Sequence, residues 1–249
     1  MFDITPPKYV RNVLKILSSH GYPACIVGGC VRDMILRVPP NDWDIATAAT
    51  PDQMLELFPD AIPTGIKHGT VTVRSGGQFV EVTTFRDDGD YQDHRHPDHV
   101  SFVGDLNTDL GRRDFTINAI AFTSNGVLVD PYHGVDDIQA KIIRAVGNPK
   151  QRFEEDALRM LRAFRFSSRL GFEIEEDTFF AILANAPLAA SLSSERVRDE
   201  VEKILLTQNP ESLYTVIECG LLDSYLLRHL SRDDGLIRIA SIRKKALPR

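Results

Sequence analysis

The sequence predicts an α+β fold in two parts: a small mixed β-sheet flanked by helices, then an all-α remainder. Three observations predict it. Short strand-like runs alternate with amphipathic helical stretches up to about residue 140. From Asp136 on, the apolar spacing is helical almost throughout. At 249 residues, 43% hydrophobic and 26% charged, the chain is an ordinary globular one, long enough for two domains.

The elements follow in order. Residues 8–20 read as a helix with Val10, Val13, Leu14 and Leu17 on one face. Residues 24–27 read as a short buried strand. Gly28 and Gly29 carry no Cβ, so the backbone turns tightly there and comes close to a ligand. Residues 30–36 read as a helix whose first amides point above the glycines, with Arg32 one turn in, suited to fork onto phosphate oxygens. Pro39-Pro40 ends that helix, and Asp42-Trp43-Asp44-Ile45 reads as a strand. Alternate residues of a strand share a face, so Asp42 and Asp44 point one way while Trp43 and Ile45 pack the other. Thr50-Pro51-Asp52-Gln53 predicts a helix start with Thr at the N-cap, Pro first and Gln third. Residues 70–74 and 79–85 predict a hairpin turning at Gly76-Gly77. Glu81, between Val80 and Val82, is a third carboxylate if its face is that of Asp44, and a solvated residue otherwise.

Residues 86–109 are polar and irregular and predict a mobile loop. His94, His96 and His99 lie there without the regular helical spacing of a zinc site, and Pro97 interrupts them. Residues 154–169 predict one helix: Ala157, Met160, Leu161 and Phe164 fall within an arc of roughly 100°, and Arg159, Arg162, Arg165 and Arg169 fall opposite.

Composition excludes some functions. No apolar run approaches the roughly 18 residues of a membrane span. No basic region followed by an apolar stretch opens the chain, so no secretory signal is expected. Cys25, Cys30 and Cys219 match no zinc pattern, and a reduced, cytoplasmic protein is expected. The net charge of −6 argues against a globally basic nucleic-acid binder, but residues 1–140 sum to −8 and residues 141–249 to +2. A polyanion would therefore be held by local patches of the second half.

Taken singly, a Gly-Gly pair is usually a turn, an Asp-x-Asp pair is usually solvated surface, and Arg32-Asp33 reads as a surface ion pair. Their order within residues 26–45 says more. Two carboxylates beside a phosphate cradle are the hard oxygen donors that Mg²⁺ needs, with its remaining positions left to water and phosphate. This segment resembles the signature of the DNA polymerase β nucleotidyltransferase superfamily, and more narrowly the class of bacterial CCA-adding tRNA nucleotidyltransferases and poly(A) polymerases. Residues 110–119 (LGRRDFTINA) resemble the family's second motif. Asp130-Pro131-Tyr132-His133-Gly134, with Asp136-Asp137-Ile138 and 143–147, resembles its third. Residues 152–162 (RFEEDALRMLR) resemble its nucleotide-reading motif.

The resemblance implies a catalytic head over 1–140, a helical neck with the reading helix over 141–205, and the start of a body from 206 to 249. It implies addition of C, C and A from CTP and ATP to the 3′ end of tRNA, with pyrophosphate released. Asp42 and Asp44 would bind two Mg²⁺, with Glu81 as the candidate third carboxylate. Gly28, Gly29, Arg32 and Arg113 would meet triphosphate and ribose. Asp156 and Arg159 would read the base, with Arg162 toward base or triphosphate and Arg165 supporting. The pairing has a chemical basis: cytosine and adenine both set an amine donor beside a ring-nitrogen acceptor, whereas uracil and guanine set a carbonyl beside an N–H. The loop over 86–109 resembles one that relatives use to add the terminal A. The alternatives are a poly(A) polymerase, or a specialist adding only CC or only A. Metal-dependent glycosyltransferases also carry Asp-x-Asp but give Arg112-Arg113-Asp114 and the reading helix no role, and a binding module without catalysis would not need Asp42, Asp44, Arg32 and Arg113 intact. Relatives continue past the point matching Cys219-Gly220-Leu221-Leu222, so the body is expected to be truncated, naturally short or completed by another chain. The basic end at 243–249, with Lys244 and Lys245, reads as a frayed terminus.

Overall fold

A computed structural model describes residues 5–89 and 100–226. The histidines at 94, 96 and 99 and the basic end at 243–249 lie outside the described residues. The chain divides at Ala140 into two units.

In the first unit, β-branched runs build a seven-stranded mixed sheet. In chain order its strands are β1 (Ala24–Val27), β2 (Asp44–Thr47), β3 (Ile62–Gly65), β4 (Thr70–Ser75) and β5 (Gln78–Thr84). A short ribbon follows, β6 (Arg86–Asp88) with β7 (Val100–Phe102), and then β8 (Ala121–Thr123) and β9 (Leu128–Val129) complete the sheet. The sheet order is β3-β4-β5-β2-β1-β8-β9. Only β2 with β5 is parallel; the other neighbours run antiparallel. The β4–β5 hairpin turns at Gly76 and Gly77, with φ of 57° and 80°. These are the two left-handed positions of a tight hairpin turn. Val71 pairs with Val82 and Val73 with Val80, and Ile45 also pairs with Val82, so one face is an apolar layer. Helix α1 (Lys8–Ser19) packs on β1 and β4 with Val10, Val13, Leu14 and Leu17 buried, as its spacing predicts. Burying each such side chain contributes about 1.5–3 kcal/mol. Helix α2 (Gly29–Ile35) follows β1, and α3 (Pro51–Leu57) starts with the capping box expected at Thr50 and Gln53. Helix α4 (Leu106–Gly111) and α5 (Gly134–Ala140) complete the unit.

Two local features differ from the sequence pattern. The strand carrying the carboxylates begins at Asp44, not Asp42, because its partners Ile26 and Glu81 set its first paired residue at Ile45 and Asp44. Asp42 sits in the bend after the two prolines. The stretch 86–109 is not simply a loop: its ends form the β6–β7 ribbon and α4. Thr108 amide and hydroxyl donate to Asp105, which caps α4.

The second unit is helical apart from one parallel pair of two-residue strands, β10 (Ile142–Ile143) and β11 (Glu173–Ile174), which departs from the all-α expectation. Its helices are α6 (Pro149–Glu155), α7 (Leu158–Leu170), α8 (Glu176–Asn185), α9 (Ser194–Leu205), α10 (Ser212–Glu218) and α11 (Asp223–Leu226). Helix α7 packs on α9 and α10, and α6 on α8. The single helix expected over 154–169 is two. Asp156 is extended at φ −140° and its Oδ1 accepts the Leu158 amide, so its side chain restarts the helix. The predicted core positions Ala157, Met160, Leu161 and Phe164 are all buried. Among the described residues no helix is long and apolar enough to cross a membrane.

Candidate active site

The carboxylates of the first unit gather at one row of the sheet. Asp44 on β2 is in register with Glu81 on β5, and residues in register project to the same face. Glu81 is therefore both in register with Asp44 and exposed to solvent. Asp42 comes near through the bend before β2 rather than through strand alternation. Burial, then the charge of Glu81 and, less, that of Asp42, push the Asp44 carboxyl above its ordinary value, while Arg113 pulls the other way. A cation relieves that repulsion. Asp42, Asp44 and Glu81 are hard oxygen donors, and Mg²⁺ is commonly held by one or two carboxylates with water and phosphate completing its shell. Among the described residues no three His, Cys, Asp or Glu side chains form a ready-made metal cluster. As hard oxygen donors, Asp42, Asp44 and Glu81 suit a divalent cation.

Beside this row, Gly28 adopts φ 81° and ψ −134°, a conformation that favours glycine. A Cβ there would sit 3.1 Å from Nη1 of Arg113. The Gly28 carbonyl accepts from the amides of Val31 and Arg32 at 3.1 Å each. Arg32, which the sequence reads as suited to fork onto phosphate oxygens, is 2% exposed. Its Nε and Nη2 donate to Asp33 Oδ1 at 2.8 and 2.6 Å, and Nη1 to Asn118 Oδ1 at 2.5 Å. The Arg32–Asp33 pair is thus a buried brace rather than a surface ion pair. It ties the glycine turn to the second motif, where Asn118 in turn donates to Asp114 at 3.1 Å. The third motif is also structural. Asp130 accepts the Gly134 and Val135 amides, and Asp137 accepts the Thr116 hydroxyl at 2.6 Å.

The second unit holds Asp156, Arg159, Arg162 and Arg165. Asp156 Oδ2 accepts from Arg196 Nη2 at 2.9 Å, and Arg159 Nη1 donates to Glu155 Oε2 at 2.7 Å. Glu155 also takes Arg152 at 2.5 Å. Arg165 pairs with buried Glu200 at 2.6 Å and lies over the Phe166 ring, as does Arg162 at 5.4 Å. On the arginine face Arg159 is buried and pairs with Glu155 of α6, while Arg165 pairs with Glu200 of α9. Sequence reasoning misses Asn118, Asp109 and Arg196. Each acts through a partner distant in sequence or flanking a motif, and its residue type alone carries no signal.

The mixed sheet, the carboxylate row and the glycine turn define a nucleotidyltransferase head. Residues 24–144 match the family described as "Poly A polymerase head domain", and residues 171–232 match "Probable RNA and SrmB- binding site of polymerase A". The chain is 48% identical over 239 residues to the CCA-adding enzyme of Geobacillus thermodenitrificans, covering 96% of this chain and 59% of that protein. It is 51% identical over 197 residues to that of Oceanobacillus iheyensis, covering 79% and 49%. The crystal structure of Bacillus stearothermophilus CCA-adding enzyme in complex with CTP superposes with a TM-score of 0.86 at 44% identity, covering 96% of this chain and 58% of that one. The chain belongs to the family of CCA-adding tRNA nucleotidyltransferases and poly(A) polymerases. It spans about half the length of the curated relatives it matches.

Proposed function

We propose that this chain is a template-independent RNA nucleotidyltransferase that adds C, C and A from CTP and ATP to the 3′ end of tRNA and releases pyrophosphate. The observation that carries the reading is the row of Asp44 and Glu81 with Asp42 nearby, set beside the Gly28 turn and Arg113. Asp42 and Asp44 would hold two Mg²⁺, which supply activation of the primer's terminal hydroxyl and neutralisation of the departing pyrophosphate. The Gly28–Gly29 turn lets the triphosphate approach the backbone, and Arg113 meets its charge. Arg32 holds the turn from beneath. Glu81, in register with Asp44, is the candidate third carboxylate.

Base choice is assigned to the second unit. Asp156 accepts from the exocyclic amine of C or A, and Arg159 donates to the adjacent ring nitrogen; Arg162 serves base or triphosphate, and Arg165 supports them. U and G present the opposite pattern and leave both partners unsatisfied, which is costly in a buried site. The protein itself is then the template. The head is the catalytic domain over 1–140, the neck runs over 141–205, and 206–249 begins the body. The partners are the tRNA 3′ end, CTP and ATP, and the compartment is the cytoplasm, consistent with free thiols at Cys25, Cys30 and Cys219.

The test is incorporation of labelled CTP and ATP, with UTP and GTP as controls, into tRNA ending at the discriminator base, at C and at CC, with Mg²⁺. Ordered addition of C, C and A that then stops is expected. Unlimited A addition would move the chain to the second reading, poly(A) polymerase, which the description of the head match favours. Addition of CC alone or A alone would make it a specialist.

A further inference from the structure

Asp109 is the most deeply buried carboxylate of the head, at 0% exposure, and no motif role covers it. Its Oδ1 accepts from Arg112 Nη2 at 2.7 Å and Nε at 3.1 Å, and from the Arg86 amide at 3.3 Å. Its Oδ2 accepts from Arg113 Nη2 at 3.0 Å. Arg113 is thereby held on one side of its guanidinium. Its Nη1 lies against Gly28, and its buried Nε has no hydrogen-bond partner. A buried charged donor left unmatched is costly and calls for an explanation. The same cluster reaches the β6–β7 ribbon, because Asp88 pairs with Arg86 at 3.0 Å and Arg112 at 3.4 Å.

We propose that Asp109 is a positioning residue for nucleotide binding: it clamps Arg113 through one nitrogen so that the rest of the fork faces the triphosphate at the Gly28 turn, and it anchors the β6–β7 ribbon to that clamp. The assignment rests on the nucleotidyltransferase reading above. It is specific in what it predicts. The triphosphate is common to all nucleotides, so loss of the clamp weakens CTP and ATP equally and leaves base preference alone. Asp109 touches neither the carboxylate row nor the reacting phosphorus, so turnover at saturating nucleotide changes little.

The experiment uses the full chain, with Trp43, the single tryptophan, as a fluorescence probe beside the site. CTP, ATP and inorganic tripolyphosphate are titrated into wild type, Asp109→Asn, Asp109→Glu, Arg113→Ala and the Asp109→Asn/Arg113→Ala double variant, and KM and kcat are measured on tRNA lacking CCA. Asp109→Asn is expected to raise Kd for all three ligands by about 10- to 100-fold, the worth of one charged hydrogen bond. KM should rise in parallel, with kcat within about 3-fold and the CTP-to-ATP ratio unchanged, whereas general loosening of the head would lower kcat as well. The double variant should bind no worse than Arg113→Ala, since the two residues act as one. Asp109→Glu keeps the buried charge but moves it by a methylene, so it is expected to fold like wild type and still bind weakly. Wild-type affinity in a folded Asp109→Glu protein would overturn the proposal even if Asp109→Asn does not fold, and additive losses in the double variant would overturn it where Asp109→Asn folds. Wild-type protein that binds nucleotide without incorporating it would sink only the polymerising reading. Wild-type protein that binds none of the three ligands would sink both.

Discussion

Asp44 and Asp109 show how one residue type takes opposite roles within a single unit. Asp44 is half-buried against like charge, and its carboxyl is raised first by burial and then by Glu81. A folded-state value above the ordinary 3.8 stabilises the fold fully below that pH and loses its contribution as pH rises through the folded value. Asp44→Asn should therefore raise the thermal midpoint of the metal-free protein at pH 7 while abolishing incorporation. Calorimetry with and without Mg²⁺, beside the labelled-nucleotide assay, measures both. For Asp109, burial would raise the carboxyl, but Arg113 and Arg112 more than offset it and hold it below the ordinary 3.8. Its contribution is full above 3.8 and is lost as pH falls through the lower folded value. In urea unfolding at stepped pH, wild type should lose stability steeply below about 4 and Asp109→Asn should show a flatter acid limb. Cys25 and Cys30, raised by burial to about 12 and about 11, remain thiols at neutral pH.

At the scale of elements, close approach decides what substitution is tolerated. Helix α5 packs so tightly on the 116–118 turn that a Cβ on Gly134 would lie 2.1 Å from the Thr116 carbonyl oxygen. Gly134→Ala must therefore move backbone, and we expect a loss of about 2–4 kcal/mol by urea denaturation. Thr50→Ala removes one half of the α3 capping box and should cost about 1 kcal/mol without touching activity. The break between α6 and α7 matters in another way. An unbroken helix would satisfy the 156–158 backbone within itself; the extended Asp156 instead turns its carboxylate onto the Leu158 amide and Arg196.

Across the whole molecule, the chemistry is assigned to one unit and base choice to the other, so variants should separate them. Asp44→Ala is expected to end turnover while equilibrium binding still prefers CTP and ATP over UTP and GTP. Arg159→Ala is expected to narrow that preference by about 10-fold or more while turnover of the nucleotides that do bind persists. Parallel competition titrations and single-nucleotide incorporation on both variants check this; equal preference in wild type and Arg159→Ala would remove Arg159 from base reading.

The sequence by itself determines the elements whose cause is local. The amphipathic α1, the Thr50 cap, the Gly76-Gly77 hairpin and the core stripe of α7 all follow from spacing, caps and conformational freedom between near neighbours. It also determines which residue types stand near the glycine turn, because Gly28, Arg32, Asp42 and Asp44 are close along the chain. Tertiary structure alone decides what those residues face. Glu81 joins the carboxylate row through the parallel β2–β5 register. Arg32 turns inward because Asn118, distant in sequence, receives it. Asp156 and Arg165 find their partners on α9. The reason is physical: a backbone conformation answers to its own residue and those a turn away, whereas the charge state and direction of a buried side chain answer to whatever partner the folded chain brings within hydrogen-bond distance.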